Sequence, residues 1–246
     1  MASFSEFFLK SIEVFKRGWK LFCLFILILL SPAFLFSIIS GTFLSDASLE
    51  PSEEVIGGIA IMIFALMAGI IAIITGPAIL ITFEHCFENK PISLSIAYKK
   101  GFPRILNYFV VRILFSILTI LGLLLFIIPG FYFYLSYIFA EFLTVLRKTS
   151  IIESFKISKK LTRGHRLSIL KNLILLSLIL LVIISALIIG IAIISALPFI
   201  STGYLPIEIG YLLSFIFRFI ASLGSFWFFA FVYCIFRNLE EIKKVD

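Results

Sequence analysis

Three ionisable side chains lie inside long apolar stretches, where a charge is costly unless it has a partner. Arg112 and Glu141 enter consecutive stretches from the same end, and both lie about 6–9 Å deep at 1.5 Å per helical residue. They could form a structural ion pair, or a site for a proton or a substrate. Arg218 lies in the last stretch, where it could extend to the surface, pair with a helix, or meet a phosphate or carboxylate in a central cavity. These three residues form the candidate intramembrane polar site.

A cation and a glycine recur together in three short segments, "RGWKL" at 17–21, "KGFPRI" at 100–105 and "RGHRL" at 163–167. Each segment ends in a Leu or Ile that opens an apolar run. Glycine permits a sharp turn, and anionic headgroups attract nearby cations by about 1 kcal/mol each. The predicted turn glycines are Gly18, Gly101, Gly164 and, between two spans, Gly130. The predicted lipid-headgroup contacts are Arg17, Lys20, Lys100, Arg104, Lys156, Lys159, Lys160, Arg163 and Arg166.

The stretch "EHCFEN", 84–89, is the one place where Glu, His and Cys occur together. Glu84 and Glu88 share a helical face, whereas His85 and Cys86 point away from it, so a polar cap at the end of a span is favoured over a metal site. The sequence contains no phosphate-binding glycine loop, nucleophile elbow or H-E-x-x-H motif. We therefore expect no catalytic residue, no metal and no cofactor, and we expect that the protein is not an enzyme.

The composition defines the class of fold that must position these residues. Of the 246 residues, 61% are hydrophobic and 14% are charged, with a mean hydropathy of +1.17. A soluble domain has about a quarter charged residues, so this apolar excess must face lipid. A spanning helix needs about 20 apolar residues. The sequence predicts an all-α membrane bundle, a single domain over 1–246, with spans at about 21–40, 55–83, 108–128, 131–146, 172–197 and 211–236.

The basic residues predict the orientation of the six spans. Of the 21 Lys and Arg residues, all but Arg112 and Arg218 lie before the first span, after the last span, or in two of the intervening connections. The alternate loops, 41–54, 129–130 and 198–210, contain none. Cytoplasmic loops carry the excess of Lys and Arg, so both termini are predicted to be cytoplasmic. Because topology already accounts for the cations, we expect no nucleic-acid partner.

Amphipathic segments precede the first, third and fifth spans. Apolar residues recur at helical spacing in 4–19, and 151–163 places its cations opposite Ile151, Ile152, Phe155 and Leu161. Such helices lie in the headgroup layer. We hypothesise a unit of interfacial helix, glycine turn and helical hairpin, used three times. The alternative is that any multi-span protein places basic residues and turns at its cytoplasmic entrances.

One stretch resembles a known family. Residues 121–170, "LGLLLFIIPGFYFYLSYIFAEFLTVLRKTSIIESFKISKKLTRGHRLSIL", resemble the six-span membrane domain attached to some bacterial glycerophosphodiester phosphodiesterases, and stand-alone YciC-like inner-membrane proteins. The resemblance implies a six-span fold in a bacterial inner membrane. In the fused proteins a separate soluble barrel domain performs catalysis, and no such domain fits here, so the resemblance does not imply phosphodiesterase activity.

Two functions agree with these features. The first is a non-enzymatic membrane protein that acts at the bilayer, in membrane or envelope homeostasis or as an accessory to an unknown protein partner, through contacts with anionic lipid headgroups. The second is a transporter or channel for a small solute or a lipid, which would use Arg112, Glu141 and Arg218. Spans that contain Pro32 and Pro77 favour it, because interrupted helices often frame transport sites.

Overall fold

The computed structural model describes residues 2–43, 51–202 and 207–245, and this part of the chain is helical, without a β-strand. The helices are α1 (Phe4–Phe43), α2 (Pro51–Phe87), α3 (Leu94–Gly101), a 3₁₀ turn (Phe102–Arg104), α4 (Ile105–Leu125), α5 (Ile127–Tyr137), α6 (Ala140–Leu146), α7 (Ile151–Thr162), α8 (Arg166–Thr202) and α9 (Ile207–Val245). The predicted all-α fold class is confirmed.

Six stretches of these helices are long and apolar enough to cross a membrane. They are Phe4–Phe36, Gly58–Phe87, Leu94–Leu125, Ile127–Leu146, Arg166–Gly190 and Phe215–Lys243. A helix satisfies its own backbone hydrogen bonds, which is what a chain in hydrocarbon requires. The centres of the predicted outer loops 41–54 and 198–210, residues 44–50 and 203–206, lie outside the described residues.

The chain divides into two compact units. Unit 1 contains Met1–Phe22, Ile73–Leu178 and Phe226–Asp246, and unit 2 contains Cys23–Ala72 and Ile179–Ser225. Their charges differ in sign. By sequence, unit 1 has a net charge of +11 (20 basic against 9 acidic residues) and unit 2 has −4 (1 basic against 5 acidic residues). Nearly all of the ionisable chemistry of the protein therefore belongs to unit 1.

An aromatic cluster forms much of the core of unit 1. Tyr233 of α9 is fully buried. Its ring centroid lies 6.4 Å from that of Phe83 in α2, 5.9 Å from that of Phe142 in α6 and 6.1 Å from that of Phe236 one turn further along α9. Aromatic pairs at such distances contribute about 0.5–1.5 kcal/mol beyond the burial of their area. The cluster therefore joins three helices that are distant in the sequence.

The predicted turn at Pro129–Gly130 is wrong. The chain leaves the helical conformation at Phe126 (φ −164°, ψ 156°), and Pro129 and Gly130 both lie in the first turn of α5. Proline is tolerated there because the first backbone N–H groups of a helix have no helical acceptor. Gly130 instead allows close contact with α4, since an added Cβ would lie 2.9 Å from the Cα of Leu123.

The predicted turn at Gly18 is also wrong, because α1 continues through it as one 40-residue helix. Gly18 is a packing position. An added Cβ would lie 2.7 Å from the buried ring of Phe22 and 2.8 Å from the Sγ of Cys86. Close approach to α2 explains this glycine, and the cost of about 1 kcal/mol for glycine inside a helix is offset by that contact. The first proposed interfacial helix is therefore continuous with the first span.

The two other predicted turn glycines lie at ends of helices. Gly101 is the last residue of α3, and a Cβ there would lie 3.1 Å from the Cβ of Pro77. Gly164 follows α7 with φ +87°, a conformation that L side chains rarely adopt.

The prolines that suggested interrupted spans lie within continuous helices. Pro32 is inside α1 and Pro77 is inside α2, so the prediction of broken helices at these positions is wrong. The fourth predicted span, in contrast, consists of two helices, because α5 ends at Tyr137 and α6 begins at Ala140.

Candidate functional site

The structure brings Arg112 and Glu141 together, as their depth in consecutive spans suggested. The Nη1 atom of Arg112 lies 3.5 Å from Oε2 of Glu141, and the same nitrogen donates a 2.7 Å hydrogen bond to the hydroxyl of Tyr108. Helices α4 and α6 pack against each other and position this group. Arg112 and Tyr108 are one helical turn apart on α4, so both side chains project from the same face of that helix toward Glu141.

Exposure differs across this pair. The side chain of Glu141 is 15% exposed, whereas that of Arg112 is 51% exposed. Tyr108 is buried, and its ring lies so close to Gly76 of α2 that a Cβ on this glycine would be 2.6 Å from the ring. A single contact of 3.5 Å is weaker than a bidentate arginine–carboxylate pair. The guanidinium therefore retains N–H groups that an anion could use.

Arg218, the third candidate, belongs to unit 2. Its side chain is exposed, and it forms no ion pair within the described residues.

A second ionic cluster, which we call the Arg147 hub, contains Arg147, Glu84, Glu240 and Arg237. Arg147 follows α6 and donates two hydrogen bonds to Glu240 of α9, at 2.8 Å from Nε and 2.6 Å from Nη2. Its Nη1 donates a 2.7 Å hydrogen bond to Glu84 of α2. Arg237 adds a contact of 3.5 Å to Glu240. One planar guanidinium thus joins three helices, which is the geometry for which arginine is suited.

Two aromatic rings stabilise the guanidinium groups of the Arg147 hub. The guanidinium of Arg147 lies 6.0 Å from the ring centroid of Phe236, and that of Arg237 lies 5.4 Å from the ring centroid of Phe87. Hydrogen bonds to Glu240 and Glu84 raise the pKa of Arg147 above its usual value. Arg147 therefore stays charged, and the hub is a fixed structural element of unit 1.

The sequence did not single out the Arg147 hub. Glu84 looked like a polar cap, Arg147 like one of many loop cations, and Glu240 like part of a charged tail. One signal was present: Glu84 and Arg147 directly follow the apolar runs of the second and fourth spans, so they leave the membrane at similar depths. The third member, Glu240 of α9, could be identified as a partner only from the packing of the helices in three dimensions.

The residues of "EHCFEN" contact different partners. Glu84 belongs to the Arg147 hub, the Nε2 atom of His85 lies 2.9 Å from Nζ of Lys100, and Glu88 accepts a 2.7 Å bond from Lys90. The last contact lowers the pKa of Glu88 and raises that of Lys90. The described residues contain no group of three or more metal-ligating side chains. This stretch therefore acts as a set of contacts at the end of α2.

The predicted headgroup cations all belong to unit 1, with Arg17 and Lys20 inside α1 and the others in or beside α3, α7 and the first residue of α8. Most of them are exposed, and they include the three lysines of α7. Three make specific contacts: Lys100 bonds to His85, Arg166 lies 4.3 Å from the ring centroid of Tyr132, and Arg17 bonds to the carbonyl of Cys86. The remaining exposed cations on α7 make no ion pair within the described chain.

The fold and the ion pairs define a multi-pass α-helical membrane protein whose charged groups are concentrated in one unit. A scan against family models matches residues 90–239, more than half of the chain, to a domain of unknown function, DUF7847. The protein therefore belongs to the DUF7847 family. Neither the curated proteins nor the solved structures contain a match. The resemblance to the phosphodiesterase-associated and YciC-like membrane domains stays a prediction.

Replacing Arg147 by Gln tests the Arg147 hub. The variant leaves Glu84 and Glu240 without their shared cation, and we expect a loss of about 2–3 kcal/mol in the free energy of unfolding. Thermal or denaturant unfolding in detergent measures the loss.

The matched control is Lys148→Gln, which removes the same charge from the neighbouring exposed residue. It should change stability by less than about 0.5 kcal/mol. Adding Glu84→Gln and Glu240→Gln to the Arg147 variant should restore part of the loss. Equal effects of the two single substitutions would contradict the assignment of the hub.

Proposed function

We propose that this protein is a non-enzymatic, multi-pass protein of the bacterial inner membrane that acts at the bilayer by binding anionic lipid headgroups. Its role would lie in membrane or envelope homeostasis, or in support of a protein partner. The observation that carries the proposal is the distribution of charge: unit 1 has a net charge of +11 and unit 2 has −4. A strongly cationic unit attracts an anionic lipid surface.

Helix α7 supplies the clearest local support. Its buried face contains three small hydroxyl residues at helical spacing, Ser154, Ser158 and Thr162, together with Leu161. Ser158 donates a 2.9 Å hydrogen bond to the carbonyl of Ser136 in α5, and the hydroxyls of Ser154 and Thr144 in α6 are 2.6 Å apart. Small polar residues permit such close packing. The helix is thereby fixed against α5 and α6.

The opposite face of α7 presents charge. Lys156, Lys159, Lys160 and the following Arg163 are exposed, and Ile152 among them is 68% exposed. An exposed cationic helix with an apolar side chain at its edge fits the interface between headgroups and acyl chains. The buried hydroxyl face differs from the predicted apolar stripe, in which Leu161 alone is buried. The cations are thus held in place by the fold of unit 1.

The proposed orientation follows from the same charges. If unit 1 faces the cytoplasm, nearly all Lys and Arg residues lie on the side where membrane proteins accumulate them. Both termini belong to unit 1 and would also be cytoplasmic. The proposed role is non-enzymatic because charged side chains such as those of the Arg147 hub are paired with one another and serve to hold the helices together.

The second candidate function is transport of a small solute or a lipid through the site at Arg112 and Glu141. The specific observation in its favour is the half-exposed guanidinium of Arg112 beside a shielded carboxylate. Ionisable groups at membrane depth often mark a pathway. The group also includes a buried phenol, Tyr108, which extends the hydrogen-bonded chain.

Lipid retention tests the first function. The variant Lys156→Gln, Lys159→Gln, Lys160→Gln, Arg163→Gln removes four exposed cations, and we expect it to retain fewer anionic lipids than the wild type because each cation contributes about 1 kcal/mol. Native mass spectrometry of gently purified protein, with phosphatidylglycerol and phosphatidylcholine supplied equally, measures retention.

The control exchanges Lys for Arg and Arg for Lys at the same four positions, which preserves the charge. It should retain phosphatidylglycerol as the wild type does. If the wild type shows no preference for phosphatidylglycerol over phosphatidylcholine, the proposed function is wrong.

Transport requires Glu141. If the second function holds, Glu141→Gln should abolish flux of the transported substrate in reconstituted vesicles and leave the thermal unfolding temperature near that of the wild type. Loss of stability without a change in flux would identify the Arg112–Glu141 contact as structural. Comparing solute release from vesicles that contain either protein provides the measurement.

A further inference from the structure

A cavity of about 560 Å³ opens beside the end of the amphipathic part of α1 and the connection from α2 to α3. We call it the α1 groove. Its lining includes Lys16, Arg17, Trp19, Lys20, Leu21 and Lys90. All of these residues belong to unit 1. The volume falls within the range of about 300–1,000 Å³ that is typical of small-molecule sites.

The lining of the α1 groove is cationic. It contains Lys16, Arg17, Lys20 and Lys90 but no Asp or Glu. Two of the four cations have partners: Lys90 bonds to Glu88 at 2.7 Å, and Arg17 lies 3.7 Å from Glu13. The other two, Lys16 and Lys20, form no ion pair and no side-chain hydrogen bond within the described part of the chain. The groove therefore presents two unneutralised positive charges.

Lys16 and Lys20 are one helical turn apart on α1. Like charges at this spacing destabilise a helix by about 0.2–0.5 kcal/mol. An anion bound between the two ammonium groups would reverse the sign of that interaction. The pair is therefore better suited to hold a ligand than to stabilise the free helix.

The wall of the α1 groove is fixed by specific contacts. Arg17 donates a 3.3 Å hydrogen bond to the carbonyl of Cys86, which ties α1 to the end of α2. Gly18 permits the close approach, as the contact of its added Cβ with Cys86 indicates. Asn89, with φ +57°, turns the chain after α2, and Lys90 and Pro91 beyond it also line the groove. The two lysines therefore stand beside a preformed concavity.

The depth of the α1 groove corresponds to the headgroup layer. Charged residues of α1 end at Lys20, and a charge-free apolar run begins at Leu21. In α2 the charge-free run ends at Phe83, shortly before Cys86. Trp19, which is 53% exposed, lies at this boundary, where tryptophan is enriched in membrane proteins. The groove therefore combines cations, an amphipathic ring and apolar residues at the boundary where a phospholipid's headgroup meets its chains.

We propose that the α1 groove is a binding site for the phosphate of an anionic phospholipid. Lys16 and Lys20 contact the phosphate, and Trp19 and Leu21 contact the glycerol and the first acyl carbons. This inference rests on the proposed function, and it assigns a discrete site to what could otherwise be diffuse attraction. The α7 cations lie on an exposed helical face, so they contribute the diffuse part.

Fluorescence of Trp19 provides the test. The protein has two tryptophans, so Trp227→Phe leaves Trp19 as the reporter at the groove. Trp227 donates one 3.0 Å hydrogen bond to Ser11 and packs against the ring of Phe8, and phenylalanine keeps an aromatic ring at this position. The single-tryptophan protein in detergent is titrated with phosphatidylglycerol, with phosphatidylcholine and with inorganic phosphate.

We expect a saturable change with phosphatidylglycerol and no such change with the other two probes. In the same background, Lys16→Gln with Lys20→Gln should weaken phosphatidylglycerol binding by about 10- to 30-fold, since two cations are lost. The matched control is Lys156→Gln with Lys160→Gln, which removes two exposed lysines at the same spacing from α7 and should change the affinity by less than about twofold. Neither pair has an ion-pair partner among the residues that the structure describes, so the unfolding temperature should stay near that of the parent.

Three results would overturn the α1 groove as a lipid site. One is equal weakening by the two lysine pairs, which would leave only diffuse attraction. Another is a full response to inorganic phosphate, which would make free phosphate the ligand. The third is an equal response to phosphatidylcholine. If native mass spectrometry still shows retention of phosphatidylglycerol in any of these cases, the proposed function survives; if retention is also absent, both fail.

Discussion

The guanidinium of Arg147 joins α2, α6 and α9, three helices that contribute to the core of unit 1. Arg147 bonds to Glu84 of α2 and to both carboxylate oxygens of Glu240 in α9. The aromatic cluster around Tyr233 packs helices α2, α6 and α9, the same three that the hub joins. Dispersion between rings is not directional, whereas a forked arginine fixes both distance and orientation. The hub therefore sets the register in which the aromatic rings meet.

The charged side chains of unit 1 fall into two groups: those paired with one another, which hold helices together, and those without a partner in the described chain. Arg147 and Arg237 neutralise Glu84 and Glu240, and Glu141 has Arg112. The lysines of α7 and the pair at Lys16 and Lys20 remain without partners in the described chain. Their helices are held by other contacts, namely the hydroxyls of α7 and the Arg17–Cys86 bond of α1. Unpaired cations on fixed helices make unit 1 suited to an anionic surface.

Much of this fold was predictable because hydrocarbon restricts a chain so strongly. Six long apolar runs predict six spans, and the depths of Arg112 and Glu141 within consecutive spans predict their contact. The glycine turns were less predictable, since glycine serves both turns and close packing. Gly18 and Gly130 serve packing, and only the positions of Phe22, Cys86 and Leu123 reveal it. The Arg147 hub joins positions 84, 147 and 240, whose proximity depends on the packing of the whole unit.

Binding of anionic headgroups by unit 1 is tested most directly by thermal unfolding of the wild-type protein in bilayer nanodiscs of increasing phosphatidylglycerol content. A ligand that binds the native state stabilises it by mass action. We expect the unfolding temperature to rise with the fraction of phosphatidylglycerol, and we expect this rise to shrink at high salt because salt screens the charges. The same unfolding temperature in phosphatidylcholine and in phosphatidylglycerol would contradict the claim that unit 1 binds anionic headgroups.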